Sequence, residues 1–346
     1  VNSKQSIGIG IAGAGSVSDV HAEAIHQLEG ARLASVFSRH EDNARQLAEK
    51  YGASFTTDWE QFLKEDQVRV VSICTPSGAH LEYGQSAAEA GKHVIVEKPI
   101  EVSLEKARQL IEACRQHRVH LSVIFQNRFI PDVRNMREAI RDGVIGEVHL
   151  ADAYIKWFRD QEYYDTGGWR GTLELDGGGA LINQSIHTID LLQWMVGDVE
   201  EIYGQVGTFT HRMEGEDTGV AVLRFANGAL GVIEGATSVS PAQERRLEIH
   251  GAKGTAVLTG NRFSLLTGED QNQDEGDSEG SGAASPFAGF SVEPHKQQYA
   301  DILQAIRENR ESSVPGDEAL KSLGIIQGIY AAARNRKTVN LRDLLT

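Results

Sequence analysis

The chain has 346 residues, and its 49 Asp and Glu outnumber 34 Lys and Arg to give a net charge of −15. So acidic a surface repels phosphate backbones and anionic lipids, which argues against nucleic acid and membranes as partners. No apolar run reaches the roughly 18 residues of a membrane helix, Val1–Ser6 reads as no signal peptide, and Cys74 and Cys114 make neither a disulfide framework nor a metal site. A cytoplasmic, two-domain protein is expected, at about 100–200 residues per domain.

Short apolar runs come first: Ile7–Ala12, Arg32–Phe37, Val68–Cys74, His93–Val96 and Val119–Phe125. Near-continuous apolar character is that of parallel strands covered on both faces. Helical patterns lie between them. Leu104, Ala107, Leu110, Ile111 and Cys114 share one helical face behind Ser103, a suitable N-cap. Asp58 and Gln61 read as a capping box ahead of Phe62 and Leu63. The alternation predicts a doubly wound α/β domain over residues 1–129.

The first run ends in Gly13-Ala14-Gly15-Ser16-Val17-Ser18, and a helical pattern follows. Gly13 permits a tight turn, and Gly15 lets the backbone approach a pyrophosphate. The helix start at Ser16 and Val17 supplies amide donors. Ser18 takes the third position in place of Gly or Ala. The second run ends in Ser38-Arg39, with no carboxylate until Glu41. An acid there would hold the ribose 2′-hydroxyl of NAD, whereas Ser and Arg suit a 2′-phosphate, so NADP is favoured and NAD is possible. The next two runs end in Cys74-Thr75-Pro76, with His80 beyond, and in Glu97-Lys98-Pro99. Ligands of open α/β sheets bind at such strand ends. Lys98, extended before proline, is expected to point into the crevice beside a nicotinamide. His80 by itself reads as a polar residue at a helix start.

Beyond Phe129-Ile130-Pro131 the pattern changes. A helix over Asp132–Arg141 ends at Gly143, and β-rich runs follow at Glu147–Arg159, Glu201–Thr210, Gly219–Phe225, Gly228–Ala236, Arg246–His250, Gly254–Leu258 and Arg262–Leu266. Asn227-Gly228 is a hairpin signal, with Val220, Val222 and Phe225 expected to pack against Leu230, Val232 and Ile233. Residues 130–346 therefore read as an α+β domain with a large, mostly antiparallel open sheet and closing helices. Gly268–Ser285 reads as an acidic solvated loop.

The richest segment runs from Trp157 to Asp190. It holds Tyr163, Tyr164, Trp169, Arg170 and Asp176-Gly177-Gly178-Gly179, then a helix with Asn183 and His187 on one face. His187 suits a general base near neutral pH. The competing reading is a core histidine, because the helix is otherwise apolar at Leu181, Ile182, Ile186, Ile189 and Leu191. The aromatics fit a core or a platform for sugars.

In their order and spacing these residues resemble the glucose–fructose oxidoreductase and inositol dehydrogenase family (Gfo/Idh/MocA). The resemblance rests on Gly13-Ala14-Gly15 with His21, Thr75-Pro76 with His80, Glu97-Lys98-Pro99, Asn127-Arg128-Phe129, Trp169-Arg170, Gly177–Gly179, and His187 in Ile186-His187-Thr188-Ile189-Asp190. With the closing stretch Tyr299–Leu341 it covers nearly the whole chain. It implies a Rossmann domain followed by an open-sheet domain, a homodimer or homotetramer, and sugars, cyclitols or their derivatives as substrates. It implies Lys98 and His187 beside C4 of the nicotinamide and Trp169-Arg170 near the nicotinamide half. Gly13, Gly15, Ser16, Val17, Ser38, Arg39, Cys74, Thr75, Pro76, His80 and Glu97 would line the rest of the cofactor site. Asn183 stands where the family has a carboxylate; Asn can orient a hydroxyl but cannot accept its proton at neutral pH.

The expected reaction is hydride transfer between NAD(P)(H) and a secondary alcohol or ketone. His187 removes the hydroxyl proton and Lys98 stabilises the alkoxide. Arg128, Tyr164 and Asn183 would orient substrate, Tyr164 by stacking on a sugar face and Arg128 by gripping a carboxylate or phosphate. One alternative is a glycoside hydrolase or lyase that retains NAD(P) through a transient oxidation cycle. Another is a nucleotide sensor, which would need neither Lys98 nor His187.

Overall fold

Alternating small and branched residues in the first apolar run make a strand buried on both faces, and the parallel sheet grows outward from it. A computed structural model describes residues 6–267 and 291–345. The acidic stretch Gly268–Ser285 lies outside the described residues. Six parallel strands are β1 (Ile7–Ala12), β2 (Ala31–Phe37), β3 (Ser54–Thr56), β4 (Val70–Ile73), β5 (His93–Val96) and β6 (Leu121–Val123). Their order is β3-β2-β1-β4-β5-β6. The chain reverses direction across the sheet between β1 and β4, the crevice in which such folds bind ligands. β3 escapes sequence reading because three residues carry no readable period.

The local signals behave as their chemistry dictates. Ser103 Oγ accepts the Lys106 N–H at 3.3 Å, and the face from Leu104 to Cys114 is buried. Asp58 Oδ1 accepts the Gln61 N–H at 3.1 Å, but the expected box is only half closed. Gln61 Oε1 instead accepts from Thr56 Oγ1, and that hydroxyl in turn accepts the Asp58 N–H.

The chain forms two compact units, one of residues 1–126 with 291–320 and the other of 127–290 with 321–346. The boundary expected after residue 129 thus falls after 126, and a C-terminal stretch returns to the first unit. The cause is apolar. Tyr299, Ile302 and Leu303 of the Glu293–Glu308 helix are buried with Ile9, Ile11, Ile25 and Val36 in one core.

The second unit is built on eight strands: β7 (Val148–Lys156), β8 (Val199–Gly207), β9 (Thr218–Phe225), β10 (Leu230–Ala236), β11 (Arg246–Gly251), β12 (Gly254–Thr259), β13 (Arg262–Thr267) and β14 (Val339–Asn340). Their order is β13-β12-β11-β7-β10-β9-β8-β14, with β7 and β10 parallel and the other pairs antiparallel. Asn227-Gly228 makes the expected hairpin, Val222 pairing with Val232. The apolar residues of this pair divide between two faces. Phe225 and Ile233 are buried, whereas Val220, Val222 and Leu230 are 47, 55 and 46 % exposed.

Candidate active site

In the first unit, β1, β2, β4 and β5 end side by side, and each contributes a turn. Gly13 has φ +109°, and a Cβ there would lie 2.6 Å from the Cys74 carbonyl oxygen. Only glycine lets the β1 turn and the β4 turn approach so closely. Gly15 caps the Ser16–His26 helix without any side-chain hydrogen bond, and a Cβ on it would meet nothing within 4 Å. Open space before uncapped amides at a helix N-terminus fits a pyrophosphate. Ser16 is exposed, Val17 half-buried and Ser18 buried.

At the end of β2, Ser38 is buried and its Oγ accepts the His40 N–H at 3.1 Å, while Arg39 is exposed. After β4, Cys74 is buried, and the buried Thr75 Oγ1 has no hydrogen-bond partner among the described residues. Pro76 opens the turn that leads to His80. His80 is fully buried, its ring nitrogens 3.1 Å from the Thr75 carbonyl and 3.0 Å from that of Pro99. It thereby ties the turn after β4 to the turn after β5.

Glu97 follows β5 and turns its carboxylate inward. Oε2 accepts the Lys98 N–H at 3.1 Å, and Oε1 lies 2.8 Å from His21 Nε2. His21 Nδ1 is 2.7 Å from the Tyr299 hydroxyl, which is 2.6 Å from Ser72 Oγ. A buried polar chain therefore runs from Ser72 to the backbone of Lys98. Burial alone would raise the Glu97 carboxyl, but the hydrogen bond and charge of His21 hold it down at about 2. Burial opposes a charge on His21, yet Cys74, Tyr299 and Glu97 around it raise its pKa well above the ordinary imidazole. Because the Glu97 pKa is depressed, its contribution to stability is present above the ordinary carboxylate range and is lost as pH falls toward about 2. His295, stacked edge-on against His21, is lowered by burial to about 3. The Lys98 side chain itself is half-buried, and the Lys98–Pro99 peptide is cis.

In the second unit, a π-turn at Ala180–Ser185 runs into the helix Ile186–Val196. From Ala180 to Gln193, Asn183, Gln184 and His187 alone are not fully buried. The apolar residues expected to make His187 a core residue are buried, whereas His187 itself is only half-buried. Asn183 Nδ2 donates to Asp176 Oδ1, and Asp176 Oδ2 accepts the Gly171 N–H at 2.8 Å. Gln184 donates to the Tyr163 hydroxyl at 2.8 Å and accepts from Arg159 at 2.9 Å. The Arg170 guanidinium lies 4.7 Å from the Tyr163 ring centre and 5.2 Å from that of Trp169. Tyr163, Gln184 and Arg159 are thus drawn into the array. Sequence reading gave Gln184 and Arg159 no role, although Gln184 adjoins Asn183 and Arg159 ends the run into this segment, and it placed Tyr163 only among aromatics that fit a core or a platform for sugars.

Two expected substrate contacts are placed elsewhere. Tyr164 is 6 % exposed, and its hydroxyl meets Thr237 Oγ1 at 2.6 Å. With its ring enclosed, it has no face to offer a sugar. Arg128 is buried in a bidentate pair with Asp190, at 2.7 and 2.6 Å, and lies over Trp194. Its charge is committed to Asp190 on the histidine helix.

A parallel sheet whose glycine turn opens onto uncapped helical amides, with a lysine at a neighbouring strand mouth, defines an oxidoreductase that binds a nicotinamide dinucleotide. Known proteins narrow that class. Residues 7–125 match the oxidoreductase family with an NAD-binding Rossmann fold, and residues 133–257 match the GFO/IDH/MocA C-terminal domain. The chain belongs to the GFO/IDH/MocA oxidoreductases. It is 26 % identical to the myo-inositol 2-dehydrogenase of Thermotoga maritima, over 97 % of this chain and 99 % of that one. Against the D-glucoside 3-dehydrogenase of Escherichia coli the identity is 35 %, over 55 % of this chain and 54 % of that one. Among solved structures, the WlbA dehydrogenase of Bordetella pertussis, in complex with NADH and UDP-GlcNAcA, superposes with a TM-score of 0.87 at 31 % identity, covering 97 % of this chain and 99 % of that one.

Proposed function

We propose that this enzyme transfers a hydride between NADP(H) and a secondary alcohol or ketone of a sugar, a sugar derivative or a cyclitol. The observation that carries the reading is that Asn183, Gln184 and His187 alone are only half-buried on an otherwise buried stretch from Ala180 to Gln193. A half-buried histidine beside two half-buried amides on a largely apolar helix suits proton transfer at a polyol. The substrates named for the relatives support the same class.

In the oxidation direction, His187 takes the hydroxyl proton. The Lys98 ammonium stabilises the developing alkoxide, and Asn183, fixed by Asp176, orients the hydroxyl. When bound, the nicotinamide supplies the hydride acceptor. Tyr163 and Trp169, rather than the enclosed Tyr164, would offer aromatic surface for the sugar, with Arg170 against both rings and Arg159 against that of Tyr163. His187→Asn should lower kcat by about 10²–10⁴-fold. The part of the acid limb that reports the imidazole should vanish from its pH–rate profile. Unchanged turnover would dismiss the base assignment.

Gly13, Gly15, Ser16 and Val17 would hold the pyrophosphate, with Thr75, Pro76 and the carbonyl-bound His80 shaping the crevice. Arg39, exposed at the end of β2, would take the 2′-phosphate. Nicotinamide fluorescence titration of Arg39→Ala should show roughly tenfold or greater loss of NADPH affinity with NADH binding retained. Equal effects on both cofactors would count against the NADP assignment. The same titration, followed by a polyol panel read by absorbance, tests the function as a whole. A stoichiometric cofactor that will not exchange would point instead to a retained-cofactor reaction.

A second copy of the chain is the occupant we assign to the exposed apolar stripe of Tyr203, Val220, Val222 and Leu230 on β8, β9 and β10. Two buried free thiols, Cys74 and Cys114, accord with a cytoplasmic setting.

A further inference from the structure

The helical segment that presents Asn183, Gln184 and His187 begins at glycine, and Gly179 makes no side-chain cap. The first amides of such a segment need acceptors from elsewhere. One residue supplies three of them. The Glu216 carbonyl accepts the Ala180 N–H at 2.8 Å. Its carboxylate accepts the Leu181 N–H at 2.7 Å on Oε1 and the Gly179 N–H at 3.1 Å on Oε2. Tyr330, from the Gly316–Asn335 helix, donates its hydroxyl to Oε1 at 3.0 Å. The fit allows no side chain between. A Cβ on Gly179 would lie 2.0 Å from the Glu216 carbonyl oxygen, and one on Gly178 would lie 2.3 Å from the Tyr330 hydroxyl. The glycine run is therefore a packing requirement of this brace.

We propose that Glu216 is a positioning residue for the active site, capping from outside the helix the segment that carries Asn183 and His187. The role rests on the reading of those two residues as site residues. A carboxylate is suited to it, because both oxygens accept and the helix N-terminus favours negative charge. The titratable groups around it are Tyr330 on the closing helix, Asp176 before the glycines, and Tyr164. Asp217, next in sequence, is occupied by the amides of Phe209, Thr210 and His211. Among the described residues no cation is paired with Glu216. Burial, the largest influence, raises its carboxyl to about 7 against the lowering effect of the donors. Ionised, the carboxylate accepts from all three donors. Protonated, one oxygen becomes a donor and the cap loosens. Local order in the segment should therefore rise with pH through about 7.

Hydrogen exchange of residues 177–187, corrected for intrinsic rates and followed across neutral pH without substrate, tests the cap directly. The wild type should gain protection with a midpoint near 7. Glu216→Gln presents one oxygen and one donor, so it should stay at the low-protection level at every pH. Should that variant fold poorly, Tyr330→Phe provides the second reading. Losing a donor to the carboxylate, it should move the midpoint upward. With a substrate from the polyol panel, Glu216→Gln should lower kcat about 10–100-fold through misplacement of His187, with nicotinamide titration unchanged. Wild-type-like exchange in Glu216→Gln, or an unmoved midpoint in Tyr330→Phe, would overturn the proposal. So would a variant that loses cofactor binding in step with turnover. A wild type that turns over no polyol yet shows the exchange transition would instead refute the proposed reaction and leave the cap standing.

Discussion

Lys98→Met is expected to lose turnover by about 10³-fold or more while its nicotinamide titration stays close to wild type. The thioether keeps much of the length of the lysine stem and removes the charge together with its N–H donors. What anchors the turn is the Lys98 backbone amide, held by Glu97 at 3.1 Å. Glu97 is in turn fixed by His21 and, through it, by Tyr299 and Ser72. None of those contacts uses the Lys98 side chain, so the turn should survive the substitution. Steady-state rates with NADPH and an active polyol, set beside binding by fluorescence, separate the two effects. Retained turnover in the Met variant would remove Lys98 from the chemistry.

Arg128→Ala should destabilise the fold by about 3–5 kcal/mol, because it leaves a buried carboxylate unpaired. The Arg128 and Asp190 side chains are 2 % and 1 % exposed. Asp190 lies three residues after His187, so the pair also pins the histidine helix to the turn at Gln126–Phe129. Urea denaturation of Arg128→Ala and Asp190→Asn should show lowered midpoints for both. A residue that gripped substrate would behave oppositely, with wild-type stability and a raised KM.

Strands with long or alternating apolar patterns were legible in the sequence because burial on defined faces imposes a readable period. β3 and β14 were not, since three residues and two residues carry none. The phosphate turn was legible because steric need selects glycine at Gly13. Lys98 and His187 stood out by type and position. Their neighbours were harder to rank. Tyr163 and Tyr164 are adjacent and chemically alike, and only the packing of Thr237 and His211 against Tyr164 shows which ring is enclosed. Arg128 read as a ligand contact because a charge in sequence does not announce its partner, 62 residues away. Glu216 gave no local signal at all, since the amides that it caps lie 35 and 37 residues earlier.

The return of the Glu293–Glu308 helix to the first unit bears on how the chain is made. A ribosome delivers residues 1–126 long before Tyr299 and His295 emerge. Until then His21 and Ser72 lack the hydroxyl that links them, and the core at Ile9, Ile25 and Val36 lacks its covering helix. N-terminal domains commonly complete themselves first during synthesis. Here the cofactor-binding half closes only after residues 127–290 of the other half have been translated, so the nascent chain carries an unfinished nucleotide fold through most of its elongation.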